Sequence, residues 1–316
     1  MTNIKIPASV PAAKRSEYHR NYSNLTNNSG RLLLIAGDQK IEHLNTDFFG
    51  SGISPEDNNP EHLFKIAAAS QGGALATHLG LISSYGHKYR QIPYIVKLNG
   101  KTNLGLNDDK NSSRLWWTVD DIIKFKKQSG LKIGGIGYTL YLGGAYEAEM
   151  LATVAQAIFQ AHQAGLVAIL WVYPRGKNIK EEDIHTIAGG SGVAASLGAD
   201  FVKVKYPYKL KDKKLAAENF REVTGAAGLT KVICVGSGKM PARELLEQLG
   251  RQIKISGTSG MAIGRNLHQR SLEEASRLAS ALGAMIWKGA TAKEANLIYN
   301  KTKTTPTKNS RFLGIF

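Results

Sequence analysis

Eight short runs of apolar residues recur along the chain, each about as long as a buried strand. Continuous apolar runs of this length are typical of strands covered on both faces, as in a parallel sheet. Residues with strand character occupy positions 32–36, 74–78, 94–98, 133–137, 167–172, 201–204, 232–235 and 260–263. The pattern therefore predicts eight buried strands.

Segments with apolar residues at helical spacing separate these runs. Asn59-Pro60 places a proline at a helix start, and Thr118 with Asp121 has the spacing of a capping box. The helical pattern covers residues 61–70, 120–129, 147–164, 181–197, 215–226, 242–249 and 272–287. Strands that alternate with helices indicate a parallel α/β sheet.

Eight such units on about 250 residues favour one closed (β/α)8 TIM barrel over an open doubly wound sheet. The open sheet remains the alternative, although no G-x-G-x-x-G follows the first strand and no G-x-x-x-x-G-K-[ST] occurs in the chain. We expect an irregular N-terminal extension over residues 1–30, the barrel over 31–300 and a C-terminal tail over 301–316.

Composition narrows the class of protein. The 316 residues are 42% hydrophobic, and Cys234 is the single cysteine, so an internal disulfide is impossible and a reducing compartment is expected. The N-terminus lacks the apolar core of a signal peptide, and the apolar runs are too short to cross a bilayer. We therefore expect a cytoplasmic protein without a membrane partner.

The net charge of +16 favours anionic partners, either phosphorylated metabolites or nucleic acid. Most lysines are dispersed, and the clusters at 209–214 and 301–308 are interpreted as a solvated loop and a frayed end. Aromatic residues do not alternate with Lys or Arg as in nucleic-acid modules, so we expect no nucleic-acid partner.

The most distinctive chemistry lies in the sixth apolar run. Lys203 and Lys205 are two residues apart, and alternate residues of a strand share a face. A buried amine beside a second cation loses proton affinity and becomes a nucleophile toward carbonyl groups. The alternative is an edge strand whose outer face carries two solvated lysines.

Reacting groups of such barrels lie at the carboxyl ends of the strands. Among the residues at those ends, Ser237 and Gly238 after strand 7 and Gly264 and Arg265 after strand 8 suggest a phosphate site, although each glycine turn alone could be ordinary. His43, His78 and His87 have no metal-ligand spacing, and no metal is expected. Trp116 and Trp117 are interpreted as packing residues.

Several motifs together resemble the archaeal-type class I fructose-1,6-bisphosphate aldolases, a Schiff-base family that also occurs in bacteria. The resemblance covers residues 31–290 and consists of Asp38-Gln-x-x-Glu-His43, Val96-Lys-Leu-Asn-Gly-Lys-Thr102, Gly137-Tyr-Thr-x-Tyr-x-Gly143, Tyr146-Glu-Ala-Glu-Met150, Trp171-x-Tyr-Pro-Arg-Gly176, Gly198-Ala-Asp-x-x-Lys203 and Gly264-Arg-Asn-x-x-Gln269. These motifs occur in barrel-compatible order.

The resemblance implies that Lys203 forms the Schiff base, with Lys205 as its neighbouring cation, and that Asp38 and Tyr173 are the acid and base residues. It also implies that Trp171 lines the site. Together with the rim positions it gives a set of candidate substrate-binding residues: Trp171, Lys205, Ser237, Gly238, Gly264, Arg265 and His43.

The implied reaction is the reversible, metal-independent cleavage of fructose 1,6-bisphosphate into dihydroxyacetone phosphate and glyceraldehyde 3-phosphate. No cofactor is expected, the partner is a phosphorylated sugar, and family members are commonly homo-oligomers. A related aldolase or acyl-transfer enzyme acting on another phosphorylated or deoxy sugar would share these motifs. Two features depart from the family pattern: Lys40 replaces a common glycine, and Gly-Ser-Gly-Lys239 replaces Gly-Gly-Pro-Lys. The loop 44–59 is also long.

Overall fold

A computed structural model describes residues 4–104, 111–207 and 210–301. Eight parallel strands close into a barrel in the order β1-β8-β7-β6-β5-β4-β3-β2, with β2 returning to β1. The strands are β1 (Leu32–Ala36), β2 (Ala74–His78), β3 (Tyr94–Lys97), β4 (Ile133–Leu142), β5 (Val167–Pro174), β6 (Phe201–Val204), β7 (Lys231–Val235) and β8 (Gly260–Ile263). The prediction of a single (β/α)8 barrel is confirmed.

The helices surround this barrel and connect its strands. They are α1 (Arg15–Leu25), α2 (Gln39–Glu42), α3 (Glu61–Ala69), α4 (Leu79–Tyr85), α5 (Val119–Ser129), α6 (Glu147–Gln163), α7 (Ile184–Ser196), α8 (Lys213–Asn219), α9 (Arg221–Ala226), α10 (Ala242–Lys254), α11 (Arg265–His268), α12 (Leu272–Lys288) and α13 (Ala292–Asn300). A two-stranded hairpin, Asn99–Gly100 with Arg114–Leu115, lies after β3. No helix in the described ranges is long and apolar enough to cross a membrane.

Several predicted helix boundaries are confirmed and others are wrong. The capping box of Thr118 and Asp121 does start α5. The segment 215–226 forms two helices rather than one, separated at the buried Phe220. Helix α7 starts at Ile184 because the Asp183 carboxylate caps it by accepting a hydrogen bond from the Thr186 amide. Lys209 and residues 302–316, which make up the predicted C-terminal tail apart from Lys301, fall outside the described residues.

The N-terminal extension is not irregular as predicted, because α1 runs through it. Tyr18, Tyr22 and Leu25 recur at helical spacing, are buried, and pack with the residues that fill the barrel interior. The Asn21 amide also donates a hydrogen bond of 2.7 Å to the Gly165 carbonyl. Helix α1 therefore closes the amino end of the barrel.

The long loop 44–59 is fastened to the end of the barrel that follows β8. Phe48 is buried and stacks on His268 of α11, with ring centroids 4.5 Å apart. His268 Nδ1 also lies 2.7 Å from the buried carboxylate of Asp57. Lys40, the unusual residue at its entrance, lies 4.3 Å from the centre of the Phe48 ring.

Candidate active site

Three neighbouring strands place Lys203, Trp171 and Thr139 side by side inside the barrel. The register aligns Lys203 with Trp171, and Trp171 with Thr139. Lys203 is 5% exposed, and its Nζ lies 5.0 Å from the centre of the Trp171 ring. A methyl group on Gly137 would lie 2.5 Å from the indole, so glycine is required there to make room for Trp171. The prediction that Trp171 lines the site is consistent with this placement.

Asp38 lies in the same interior, at the turn after β1. Its Oδ2 atom is 3.9 Å from Nζ of Lys97, at the end of β3. Burial alone would raise the pKa of Asp38, but the ammonium groups of Lys203 and Lys97 outweigh it and lower that pKa. Asp38 is therefore a carboxylate that can accept a proton.

For the two lysine amines, burial outweighs the attraction of the nearby carboxylates. Burial lowers the pKa of Lys203 below its usual value, although Asp38 and Glu42 oppose the shift. Burial likewise lowers the pKa of Lys97 to about 8, and the charge of Lys203 adds to the effect. A lysine with a lowered pKa supplies the neutral amine that attack on a carbonyl group requires.

Tyr173 belongs to an aromatic pair near the end of β5. Its ring stacks on Tyr141, with centroids 6.1 Å apart, and the Arg175 guanidinium lies about 5 Å from both rings, at 5.0 and 5.1 Å. The Tyr141 hydroxyl donates to Glu42 at 3.1 Å. Burial and the negative charge of Glu42 raise the pKa of Tyr173, so its phenol stays protonated in the free enzyme.

Lys205 does not occupy the predicted position beside Lys203 within the strand. Strand β6 ends at Val204, and the Lys205 ammonium donates instead to Glu181. Glu181 also accepts from Arg175. The second cation within the barrel interior is Lys97, so the expectation that Lys205 fills that role is wrong. Two cations and one carboxylate form a cluster on the rim instead.

The loops after β7 and β8 contact each other, and these are the two loops that the sequence analysis joined into one phosphate site. The side-chain amide nitrogen of Asn266 donates to the Ser237 and Gly238 carbonyls at 3.1 and 2.9 Å. Its side-chain oxygen accepts from the backbone N–H of Met240 at 2.9 Å. Gly264 precedes α11, and a methyl group there would lie 2.1 Å from Oε1 of Gln39. The four candidate phosphate residues thus share one part of the rim.

Arg265 and His43 share a carboxylate that the sequence did not single out. His43 Nδ1 contacts Oδ2 of Asp47, and Arg265 Nε lies 3.8 Å from the same oxygen. Burial would raise the pKa of Asp47, but the His43 hydrogen bond and the charges of His43, Arg265 and His268 lower it. Asp47 belongs to the long loop, which offered no motif to mark it.

The sequence also assigned no role to four further functional candidates, which are Lys97, Glu42, Arg175 and Glu181. Lys97 and Glu42 stand in quoted motifs at strand ends, and that position was an available signal. Glu181 was placed in a predicted helix, and no sequence signal marked it.

Among the described residues no three His, Cys, Asp or Glu side chains form a group that could hold a metal. Trp116 is 41% exposed, with its ring 5.1 Å from that of His78.

A buried lysine beside a carboxylate at the carboxyl end of a (β/α)8 barrel is typical of aldolases that work through a Schiff base. The chain belongs to the DeoC/LacD family of aldolases, whose model matches residues 32–270.

Individual relatives agree with this assignment. The chain is 49% identical to the fructose-bisphosphate aldolase/6-deoxy-5-ketofructose 1-phosphate synthase of Methanocaldococcus jannaschii over 94% of both chains. It resembles the solved fructose-bisphosphate aldolase of Slackia heliotrinireducens, with 44% identity, a TM-score of 0.91 and 95% of both chains covered. An archaeal fructose-1,6-bisphosphate aldolase solved with its catalytic lysine bound to the carbinolamine intermediate is 26% identical, with a TM-score of 0.73 over 85% of this chain and 99% of that one.

Proposed function

We propose that the protein is a class I fructose-bisphosphate aldolase, a lyase that reversibly cleaves fructose 1,6-bisphosphate into dihydroxyacetone phosphate and glyceraldehyde 3-phosphate. The observation that carries the proposal is the buried Lys203 amine among Asp38, Trp171 and Lys97. The names of its relatives support the choice of sugar.

Lys203 begins the reaction by attacking the C2 ketone, which forms a carbinolamine. Loss of water then gives an iminium ion. The C4 hydroxyl gives up its proton, the C3–C4 bond breaks, and its electron pair moves into the iminium as glyceraldehyde 3-phosphate leaves. Protonation of the resulting enamine at C3 and hydrolysis by water release dihydroxyacetone phosphate and return the Lys203 amine.

Asp38 and Tyr173 are suited to the proton transfers of this cycle. Asp38 is ionised and can accept a proton, whereas the Tyr173 phenol is protonated and can donate one. A positioned acid or base contributes about 10²–10⁴-fold. Trp171 forms the wall against which the iminium lies, since its ring is in contact distance of the Lys203 amine.

We assign the two phosphates to two neighbouring parts of the rim, one after β7 and β8 and the other after β5 and β6. Ser237, Gly238, Gly264 and Arg265 hold one phosphate, with His43 beside them through Asp47. Arg175 and Lys205 hold the other, and Glu181 is their partner in the free enzyme. Backbone amides and cations are the donors that phosphate oxygens prefer.

The test is borohydride reduction in the presence of dihydroxyacetone phosphate, followed by peptide mass mapping. The expected result is inactivation with an adduct on Lys203. An adduct on another lysine would reassign the nucleophile, and a protein without any adduct would exclude the Schiff-base mechanism. A substrate panel that includes 6-deoxy-5-ketofructose 1-phosphate, named for the Methanocaldococcus relative, separates this sugar from others of the family.

We also propose that the enzyme needs no cofactor, acts in the cytoplasm in glycolysis and gluconeogenesis, and forms a homo-oligomer. Cleavage should survive excess EDTA, because the iminium supplies the electron sink that a metal would otherwise provide. Loss of activity that zinc restores would contradict the class I assignment. Light scattering at working concentration measures the assembly state.

A further inference from the structure

Lys97 is a buried active-site amine to which the mechanism above assigns no step. It is 2% exposed and belongs to β3. In the strand order, the strand of Trp171 (β5) lies between β3 and β6, the strand of Lys203. Burying an ammonium group costs free energy unless other groups compensate its charge, because the charged form loses its hydration. The contacts of Lys97 indicate which groups compensate this charge and what the residue does.

Three contacts fix the Lys97 amine. Its Nζ donates a hydrogen bond of 2.5 Å to Oγ1 of Thr139, lies 4.3 Å from the centre of the Trp171 ring and is 3.9 Å from Oδ2 of Asp38. The contact with the ring face is a favourable cation–π arrangement. Lys97 and Lys203 thus lie near the same indole and act on the same carboxylate.

The charges around this carboxylate explain why two amines are needed. The ionisable groups that act on Lys97 or Asp38 are Lys203 on β6, Glu42 on α2 and His78 on β2. Burial lowers the pKa of His78 to about 4, so this ring is neutral at neutral pH. If Lys203 alone balanced Asp38, loss of its proton would leave a buried carboxylate without a cation beside it. Such a site would hold the Lys203 proton tightly.

We propose that Lys97 is the resident counter-ion of Asp38, which leaves Lys203 free to lose its proton and attack the substrate. The inference rests on the proposed Schiff-base function and adds to it a positioning residue that does not react itself. Thr139 belongs to the same device, because its hydroxyl holds the Lys97 ammonium in place. The device assigns to Lys97 the place beside the nucleophile that the sequence had suggested for Lys205.

The test is the pH dependence of borohydride trapping with dihydroxyacetone phosphate in Lys97→Gln and Lys97→Arg. The glutamine removes the charge and keeps an N–H donor near Thr139, whereas the arginine keeps the charge. In Lys97→Gln the pH of half-maximal trapping on Lys203 should rise by at least one unit, because a cation no longer disfavours the ammonium form. Turnover near pH 7 should fall by more than tenfold, and Lys97→Arg should restore the midpoint.

Lys231→Gln is the matched control, since it removes the charge of an exposed lysine at the amino end of β7, away from the site. Its trapping midpoint should stay at the wild-type pH. An unchanged midpoint in Lys97→Gln, an equal shift in Lys231→Gln, or a wild-type adduct on Lys97 would each overturn the inference. If Lys97→Gln fails to fold by circular dichroism, Thr139→Val, which frees the ammonium without removing it, must shift the midpoint in the same direction.

The two proposals fail in different ways. A wild-type enzyme that gives no adduct at any pH contradicts the Schiff-base function itself. A wild-type adduct on Lys203 with a midpoint that Lys97→Gln leaves unmoved contradicts only the role of Lys97.

Discussion

Burial raises the pKa of Tyr173 and lowers the pKa of Lys203, and Tyr173 shows the consequence for proton transfer. Its raised pKa keeps the phenol protonated beside the ring of Tyr141. Tyr173→Phe should lower turnover by about 10²-fold or more, because it removes a proton-transfer group but not the nucleophile. The Schiff base should still be trapped in the variant. Turnover near the wild-type rate would move the role to Asp38 or another group.

Arg265 allows a second test at the scale of the residue. If its guanidinium holds a substrate phosphate, Arg265→Ala removes a contact present in both ground and transition states. KM should then rise by roughly 10–150-fold with little change in kcat, as expected for a hydrogen bond to a charged group. An unphosphorylated ketose should show almost no effect. Equal losses for both substrates would make Arg265 structural.

The neighbouring carboxylate supplies the matched control for that experiment. Asp47 lies 3.8 Å from Arg265 in the free enzyme and competes with a phosphate for it. Asp47→Asn removes this competing charge and should lower KM for phosphorylated substrates, the opposite direction to Arg265→Ala. A rise in KM would mean that Asp47 orients the arginine rather than competing for it.

Among the elements, α1 shows how a segment outside the barrel pattern becomes part of its core. Leu25 is fully buried, and a methyl group on Gly134 of β4 would lie 3.0 Å from its Cγ. Leu25→Ala should lower the free energy of unfolding by about 2–5 kcal/mol, because it opens a cavity at the amino end of the barrel. Urea denaturation measures the loss. The KM should not change, since the site lies at the other end.

Arg20→Ala, on the exposed face of the same helix, is the control for this truncation. It should change stability by no more than about 0.5 kcal/mol. If both variants cost the same, α1 would be a loosely attached segment and not a cap of the barrel.

The strands were predictable because continuous apolar runs are sufficient to mark strands buried on both faces. Helix α1 was not, because its buried residues include Tyr18 and Asn21 and its segment reads as polar. The partners of Lys203 were only partly predictable. Strand alternation placed Lys205 beside it, whereas β6 ends one residue earlier and the barrel brings in Lys97 from β3, far along the chain. Sequence spacing carries no information on such closure.

At the scale of the whole molecule, the formal charge of +16 acts together with the cations on the rim. Arg175, Lys205 and Arg265 are each partly neutralised by one carboxylate, Glu181 or Asp47. A positive surface around a cleft raises the local concentration of anionic substrates and speeds their association. Salt should weaken this attraction in proportion to the charge of the ligand.

The corresponding prediction concerns kcat/KM for fructose 1,6-bisphosphate, for the 1-phosphate and for unphosphorylated fructose as ionic strength rises. Between about 0.01 and 1 M the Debye length shrinks from about 30 Å to about 3 Å. For the bisphosphate kcat/KM should fall by about tenfold or more, the monophosphate should fall less, and the neutral sugar should stay nearly constant. A chloride and an acetate series separate screening from anion binding at the rim. Equal slopes for all three sugars would mean that the positive charge of the molecule serves something other than substrate capture.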